Sequence, residues 1–248
     1  MDKGFYIGVS GARESMTGMS FHSNNLANAK TVGFKSDFDQ YRALNVYGPG
    51  HQSRAFVGLE RGGTDFSPGP MMTTGRDLDM ALDGKGFFAV QTVKDGDPVE
   101  AYTRAGDFVV SPTGLLTTKE GLPVLGEGGP ISIPPEQKVE IGNDGTISVR
   151  PFGAPESVVT QIDRIRLVNP DLKQVIKGPD ALFHYTGEEQ ILPDGNVRIR
   201  QGVLEGSNVN PVKHLVDMIE TTRRYEMNIK MMKNAEENDE ASARLLQS

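Results

Sequence analysis

The chain has 248 residues, with 26 Lys and Arg against 33 Asp and Glu and a formal net charge of −7. That length allows one large domain or two smaller ones, and the acidic balance argues against a general nucleic-acid binder, which presents a basic face. Cysteine is absent, so a disulfide framework and a thiolate metal site are both excluded.

No run approaches the ~20 consecutive apolar residues that a membrane helix needs, so no direct membrane insertion is expected. The start, Met-Asp-Lys-Gly-Phe, lacks the apolar stretch of a secretory signal. That predicts a cytoplasmic protein unless it leaves by a route without a cleaved signal. All 15 prolines lie from Pro49 to Pro211, and no glycine follows Gly206. Both ends are therefore permissive for long helices.

Residues from about 3 to 28 read as a helix carrying an apolar stripe of Phe5, Val9, Ala12, Met16, Met19 and Leu26. Gly4, Gly8, Gly11 and Gly18 interrupt it, each costing roughly 0.5–1 kcal/mol relative to alanine. Helix stability in proteins comes mostly from packing, so this end is expected to order only against a partner surface. Asn24-Asn25-Leu26-Ala27-Asn28 closes the segment, because asparagine tolerates left-handed geometry and its amide bonds loose backbone groups. Gly33 and Phe34 follow as a turn with an apolar anchor. From Ser36 to Pro70, the breakers Gly48-Pro49-Gly50, Gly62-Gly63 and Ser67-Pro68-Gly69-Pro70 leave little helical periodicity. A stretch this long reads as an extended arm.

Residues from about 77 to 205 read as all-β. Ile131 and Ile133 alternate, as do Val139 and Ile141, and Val197 and Ile199 alternate with Arg198 and Arg200. Ser111-Pro112-Thr113-Gly114, Asn143-Asp144-Gly145 and Pro193-Asp194-Gly195-Asn196 are turns, the second a strong hairpin signal. This spacing suggests a small sandwich or barrel-like domain. The chain ends in a helix with Asn210 at the N-cap and Pro211 at the first position. Its apolar stripe, Leu215, Met218, Thr222, Tyr225, Ile229 and Met232, has a 3-4-3-4-3 spacing. Met16, Met19, Met218, Met227, Met231 and Met232 cluster in the two end segments. They read equally as core filler and as an adaptable interface.

No pattern points to chemistry. Asp77, Asp79 and Asp83 miss the calcium-loop spacing, since positions six and twelve from Asp77 are Leu82 and Phe88. There is no phosphate loop, nucleophile elbow or Ser-x-x-Lys pair. His22, His51, His184 and His214 are scattered, none three or four residues from another. The expectation is a non-enzyme with no catalytic residue, no cofactor and no metal.

Three blocks carry a resemblance: residues 24–35 (NNLANAKTVGFK), residues 74–88 running on into Tyr102-Thr103-Arg104-Ala105-Gly106-Asp107-Phe108, and residues 202–211 (GVLEGSNVNP). In the last helix, Asp217-Met218-Ile219 and Arg224-Tyr225-Glu226-Met227 add to it. Together they resemble the axial proteins of the bacterial flagellum, the rod and hook family. Gly126-Glu127-Gly128-Gly129-Pro130-Ile131 and the short length resemble its proximal-rod branch. Residues about 150–196 match no family motif.

The resemblance implies an α+β chain. Its parts would be an N-terminal helix and Asn-rich motif over 1–35, an extended β arm over 36–76, a central all-β domain over 77–205 and a C-terminal helix over 206–248. The two ends would form a coiled-coil-like inner domain. Subunit contacts would come from the two stripes, from Asn24, Asn25, Leu26, Ala27 and Asn28, and from Gly33 and Phe34. The implied partners are proximal and distal rod subunits, further copies of itself in a helical assembly, and the flagellar type III export apparatus. No nucleic acid is implied. The implied place is the periplasmic rod, reached without a cleaved signal. Alternatives are a distal rod subunit, a stand-alone coiled-coil and β-domain binding protein, and a cell-wall hydrolase needing paired carboxylates.

Overall fold

A computed structural model describes residues 3–45, 55–94, 96–134, 138–150, 159–187 and 191–245. Gly48-Pro49-Gly50 and His51 lie outside the described residues. The chain is α+β, mostly short strands with one helix at each end. It divides into two compact units. Unit 1 holds Met1–Ala29, Ser36–Asp65 and Val209–Ser248; unit 2 holds Lys30–Lys35 and Phe66–Asn208.

Unit 1 contains α1 (Lys3–Ala27), β1 (Asp37–Asn45), β2 (Ala55–Thr64) and α2 (Pro211–Leu245). α2 starts where its cap predicts. The Asn210 Oδ1 accepts from the backbone N–H groups of Val212 and Lys213, each at 3.1 Å, satisfying two donors that a helix start leaves free. α1 and α2 run antiparallel, with Gly8 beside Met232, Gly11 beside Asn228 and His22 beside His214. The stretch expected to be an arm contains the β1–β2 pair, antiparallel from Asp37↔Thr64 to Asn45↔Ala55 with a bulge at Phe38/Asp39. Its second strand meets α1 where the Ser10 hydroxyl donates to the Val57 carbonyl at 3.1 Å.

Unit 2 runs through β3 (Met71–Thr73), β4 (Met80–Asp83), β5 (Phe87–Lys94), β6 (Asp97–Thr103), β7 (Val109–Val110), β8 (Leu116–Thr117), β9 (Lys138–Ile141) and β10 (Thr146–Arg150). β11 (Thr160–Arg164), β12 (Leu167–Val168), β13 (Val175–Lys177), β14 (Phe183–Tyr185), β15 (Arg198–Gln201) and β16 (Val203–Glu205) complete it. Every described pairing is antiparallel, and the largest sheet has the order β12-β5-β6-β14-β13. The first half of β5 is a continuous apolar run because both its faces are covered. Phe88 and Val90 enter one core with Phe108, Leu116, Ile131 and Ile147, while Phe87 and Ala89 enter the other with Tyr102, Val168 and Phe183. Successive side chains of a strand point to opposite faces, so a two-sided strand must be apolar throughout. The expected hairpin at Asn143-Asp144-Gly145 joins β9 to β10. The Thr146 hydroxyl and N–H donate to the Asp144 carboxylate at 2.8 and 3.2 Å, holding its pKa below the ordinary range. Gly145 supplies the positive φ of 89°.

Candidate functional site

In unit 2, the three sequence blocks converge on one carboxylate. Glu205 ends β16, a short edge strand paired with β3, and its side chain is 0% exposed. Lys35, also 0% exposed, places Nζ 2.6 Å from Glu205 Oε1 and 2.7 Å from the Ser67 carbonyl. Arg104, just past β6, reaches Glu205 Oε2 at 2.9 Å and the Gly84 carbonyl at 2.7 Å. The Gly69 N–H donates to Oε1 at 3.0 Å. Burial alone pushes the Glu205 pKa up. The Lys35 hydrogen bond, the Arg104 charge and the Gly69 N–H outweigh it and hold the carboxyl below its ordinary value.

The same knot clamps backbone. The Gly33 N–H donates to the Glu205 carbonyl at 2.7 Å, and the Asn208 N–H to the Phe34 carbonyl at 3.3 Å. The Lys177 ammonium donates to the Lys35 carbonyl at 2.7 Å and lies 3.6 Å from the Phe34 ring centroid, a close cation–π contact. Gly33 has φ of 68°, and a Cβ there would stand 2.3 Å from the Ala105 nitrogen, so the position admits only glycine without backbone movement. The ends of the segments entering and leaving unit 2, at 33–35, 67–69 and 205–208, are thus fastened together. Both Glu205 oxygens are turned to protein donors, which makes the cluster a clasp rather than a reactive centre. Sequence reading included Lys35, Arg104 and Glu205 in its blocks but gave them no role. The only signal was that each block places a charge within two positions of a glycine: Lys35 after Gly33, Arg104 before Gly106 and Glu205 before Gly206.

In unit 1, the helix pair forms a seam. On α1 the less exposed positions Gly8, Gly11, Ser15, Gly18, His22 and Asn25 have a 3-4-3-4-3 spacing; on α2, His214, Met218, Thr221, Tyr225, Asn228, Met232, Ala235 and Asp239 alternate by four and three. Gly8 and Gly11 earn their place there. A Cβ on Gly8 would sit 2.6 Å from Met232 Cγ, and one on Gly11 would sit 2.8 Å from the Asn228 amide atoms. Close approach offsets the propensity cost that these glycines carry.

The residues expected at subunit contacts divide into three groups. Ala12 and Asn25 are buried, and Phe5, Met19, Leu26, Asn28, Met218, Thr222, Tyr225 and Met232 half-buried, all in unit 1. Val9, Met16, Asn24, Ala27, Leu215 and Ile229 are exposed; Leu215 is 50% and Ile229 41% exposed. Gly33 and Phe34 are buried in unit 2. Met218, Tyr225 and Met232 lie on the α2 seam. Its other flank, however, is His214, Thr221 and Asn228, whereas Leu215 and Ile229 face away. With Val212, Val216 and Ile219 they leave an apolar face uncovered. Asn25 uses its amide within unit 1, donating to the Asp37 carbonyl at 2.6 Å and accepting from the Asp37 N–H at 3.0 Å. Asn28 donates back to the Asn24 carbonyl at 3.0 Å. No described helix is long and apolar enough to cross a membrane.

Comparison with known proteins matches both regions. The family described as flagellar basal body rod FlgEFG protein C-terminal matches residues 200–245, and the flagellar hook protein FlgE/F/G D1 domain matches residues 81–149. The chain is 38% identical to the flagellar basal-body rod protein FlgF of Salmonella typhimurium, over 99% of both chains. It is 37% identical to FlgF of Caulobacter vibrioides, over 96% of this chain and 95% of the relative. With the flagellar basal-body rod protein FlgG of Bacillus subtilis it shares 31% identity over 96% of each.

Proposed function

The chain belongs to the flagellar rod and hook family, and on that footing we propose that it is a structural subunit of the proximal basal-body rod. The full-length identity of 38% and 37% to the FlgF relatives of Salmonella typhimurium and Caulobacter vibrioides, against 31% to the FlgG of Bacillus subtilis, supports the proximal branch over the distal alternative. A structural role is in keeping with the buried clasp of unit 2, whose charged groups face protein.

The observation that carries the assembly reading is the uncovered apolar face of α2. Val212, Leu215, Val216 and Ile219 recur at i, i+3, i+4 and i+7, all exposed. Leaving such a face in water is costly at roughly 25 cal/mol per Å² of apolar area, and contiguous exposed apolar surface marks an interaction site. The helix pair then acts as a coiled-coil-like inner element, its seam closed within the chain and its outer face for neighbouring axial subunits. A repeated head-to-tail contact whose rotation does not close gives an open helical assembly, suited to carrying torque. Export through the type III apparatus without a cleaved signal is part of the same proposal. An α1 weakened by glycine stays unfolded until α2 meets it. Placing charge on that face tests the reading. Leu215→Asp with Ile219→Asp is expected to leave the purified chain's circular dichroism unchanged while abolishing rod assembly and motility. Wild-type motility from that variant would overturn it.

A further inference from the structure

Unit 1 holds a cluster of side chains of metal-ligand type that the packing of α1 on α2 does not require. His22 on α1 and His214 near the start of α2 place their Nδ1 atoms 3.2 Å apart. Asp217 stands three residues after His214, one ligand atom from each of the three lying within 4.8 Å of the others. His22 is buried, and the other two are half-buried. We propose that His22, His214 and Asp217 form a divalent transition-metal site, with Zn²⁺ the fitting ion, that clips α1 to α2. Nothing in this inference depends on the rod assignment.

The geometry fits the chemistry. Two nitrogens bonded to one tetrahedral zinc at about 2.0–2.1 Å stand roughly 3.3 Å apart, close to the separation seen here. Imidazole and carboxylate are the donors zinc takes in the absence of thiolates, and this chain has no cysteine. One carboxylate beside two neutral imidazoles gives the cluster a single negative charge to meet a dication. Three protein ligands leave the fourth position open to water. Because the ligands come from both ends of the chain, the ion would link residues that are distant in sequence and favour the paired over the unpaired helices.

The test is titration of the full-length chain with Zn²⁺ against a chromophoric chelator, with Co²⁺ spectra reporting coordination geometry and circular dichroism reporting helix content on the same sample. One equivalent is expected to bind, with tetrahedral-type Co²⁺ bands. His22→Gln and His214→Gln should each weaken binding at least about 100-fold, beyond the ~10–100-fold typical of groups that only support a ligand. His51→Gln and His184→Gln should leave it unchanged. To keep the result independent of helix order in the free chain, the titration is repeated on a Gly8→Cys, Met232→Cys variant. The Gly8 Cβ position lies 2.6 Å from Met232 Cγ, within reach of a disulfide. Absence of saturable binding in that oxidised variant would overturn the proposal. So would binding retained after both His22→Gln and His214→Gln, since a plain imidazole–imidazole hydrogen bond then accounts for the contact.

Discussion

Glu205→Gln removes the charge on which the unit 2 clasp converges while keeping the side chain's shape. Lys35 and Arg104 then remain buried with no anion, because Lys35 is 0% and Arg104 6% exposed as side chains. Stranding one member of a buried ion pair costs roughly 3–5 kcal/mol, more than the intact pair contributes net. Unit 2 comprises Lys30–Lys35 and Phe66–Asn208; at that size the loss corresponds to a fall in Tm of roughly 6–20 °C. Near-UV circular dichroism of the full chain follows the transition through tyrosine, since there is no tryptophan. Lys35→Met is the internal control. It leaves Glu205 with Arg104 and Gly69, and the Ser67 carbonyl keeps the Asn208 amide at 3.2 Å, so the expected cost is smaller, about 1–3 kcal/mol, chiefly from the lost Lys35 hydrogen bond to Glu205 Oε1. The pH response has a fixed sign. A carboxyl depressed in the folded state contributes stability that is fully present above its ordinary pKa of about 4.3 and is lost as pH falls through the lower folded value. Glu205→Gln should flatten that acid limb. A Glu205→Gln melt within about 2 °C of the parent, or a Lys35→Met variant that is the less stable of the two, would refute the clasp argument.

Two further outcomes follow from glycine geometry. Gly33→Ala forces a Cβ to 2.3 Å from the Ala105 backbone and is expected to cost more than about 2 kcal/mol, against roughly 1 kcal/mol for Gly75→Ala, because the left-handed conformation alone costs 1–2. Gly75 shares a positive φ of 72° but has nothing within 4 Å; urea denaturation of the pair separates clash from conformation. Gly11→Ala should be close to neutral in far-UV circular dichroism melts, since only the flexible Asn228 side chain must yield and helix propensity improves by roughly 0.5–1 kcal/mol. Gly11→Leu should separate the helices and lower the helical signal.

Local chemistry was legible in the sequence because it is settled within a few residues. Asn210-Pro211 starts α2, Asn143-Asp144-Gly145 turns β9 into β10, and the absence of proline from the ends permits two long helices, all without reference to distant contacts. The resemblance of three blocks gave the family. What those blocks do for each other was not legible, since Lys35, Arg104 and Glu205 are brought together only by the folding of unit 2. The seam shows the same division more sharply. Periodicity alone places Leu215, Met218, Thr222, Tyr225, Ile229 and Met232 on one stripe, and the fold half-buries Met218, Thr222, Tyr225 and Met232, the last beside Gly8 of α1, while leaving Leu215 and Ile229 exposed. A stripe fixes spacing but not phase. Phase is chosen by the partner, and a partner face made of Gly8, Gly11, Ser15 and His22 selects the flank whose side chains fit against it, leaving the more apolar flank free.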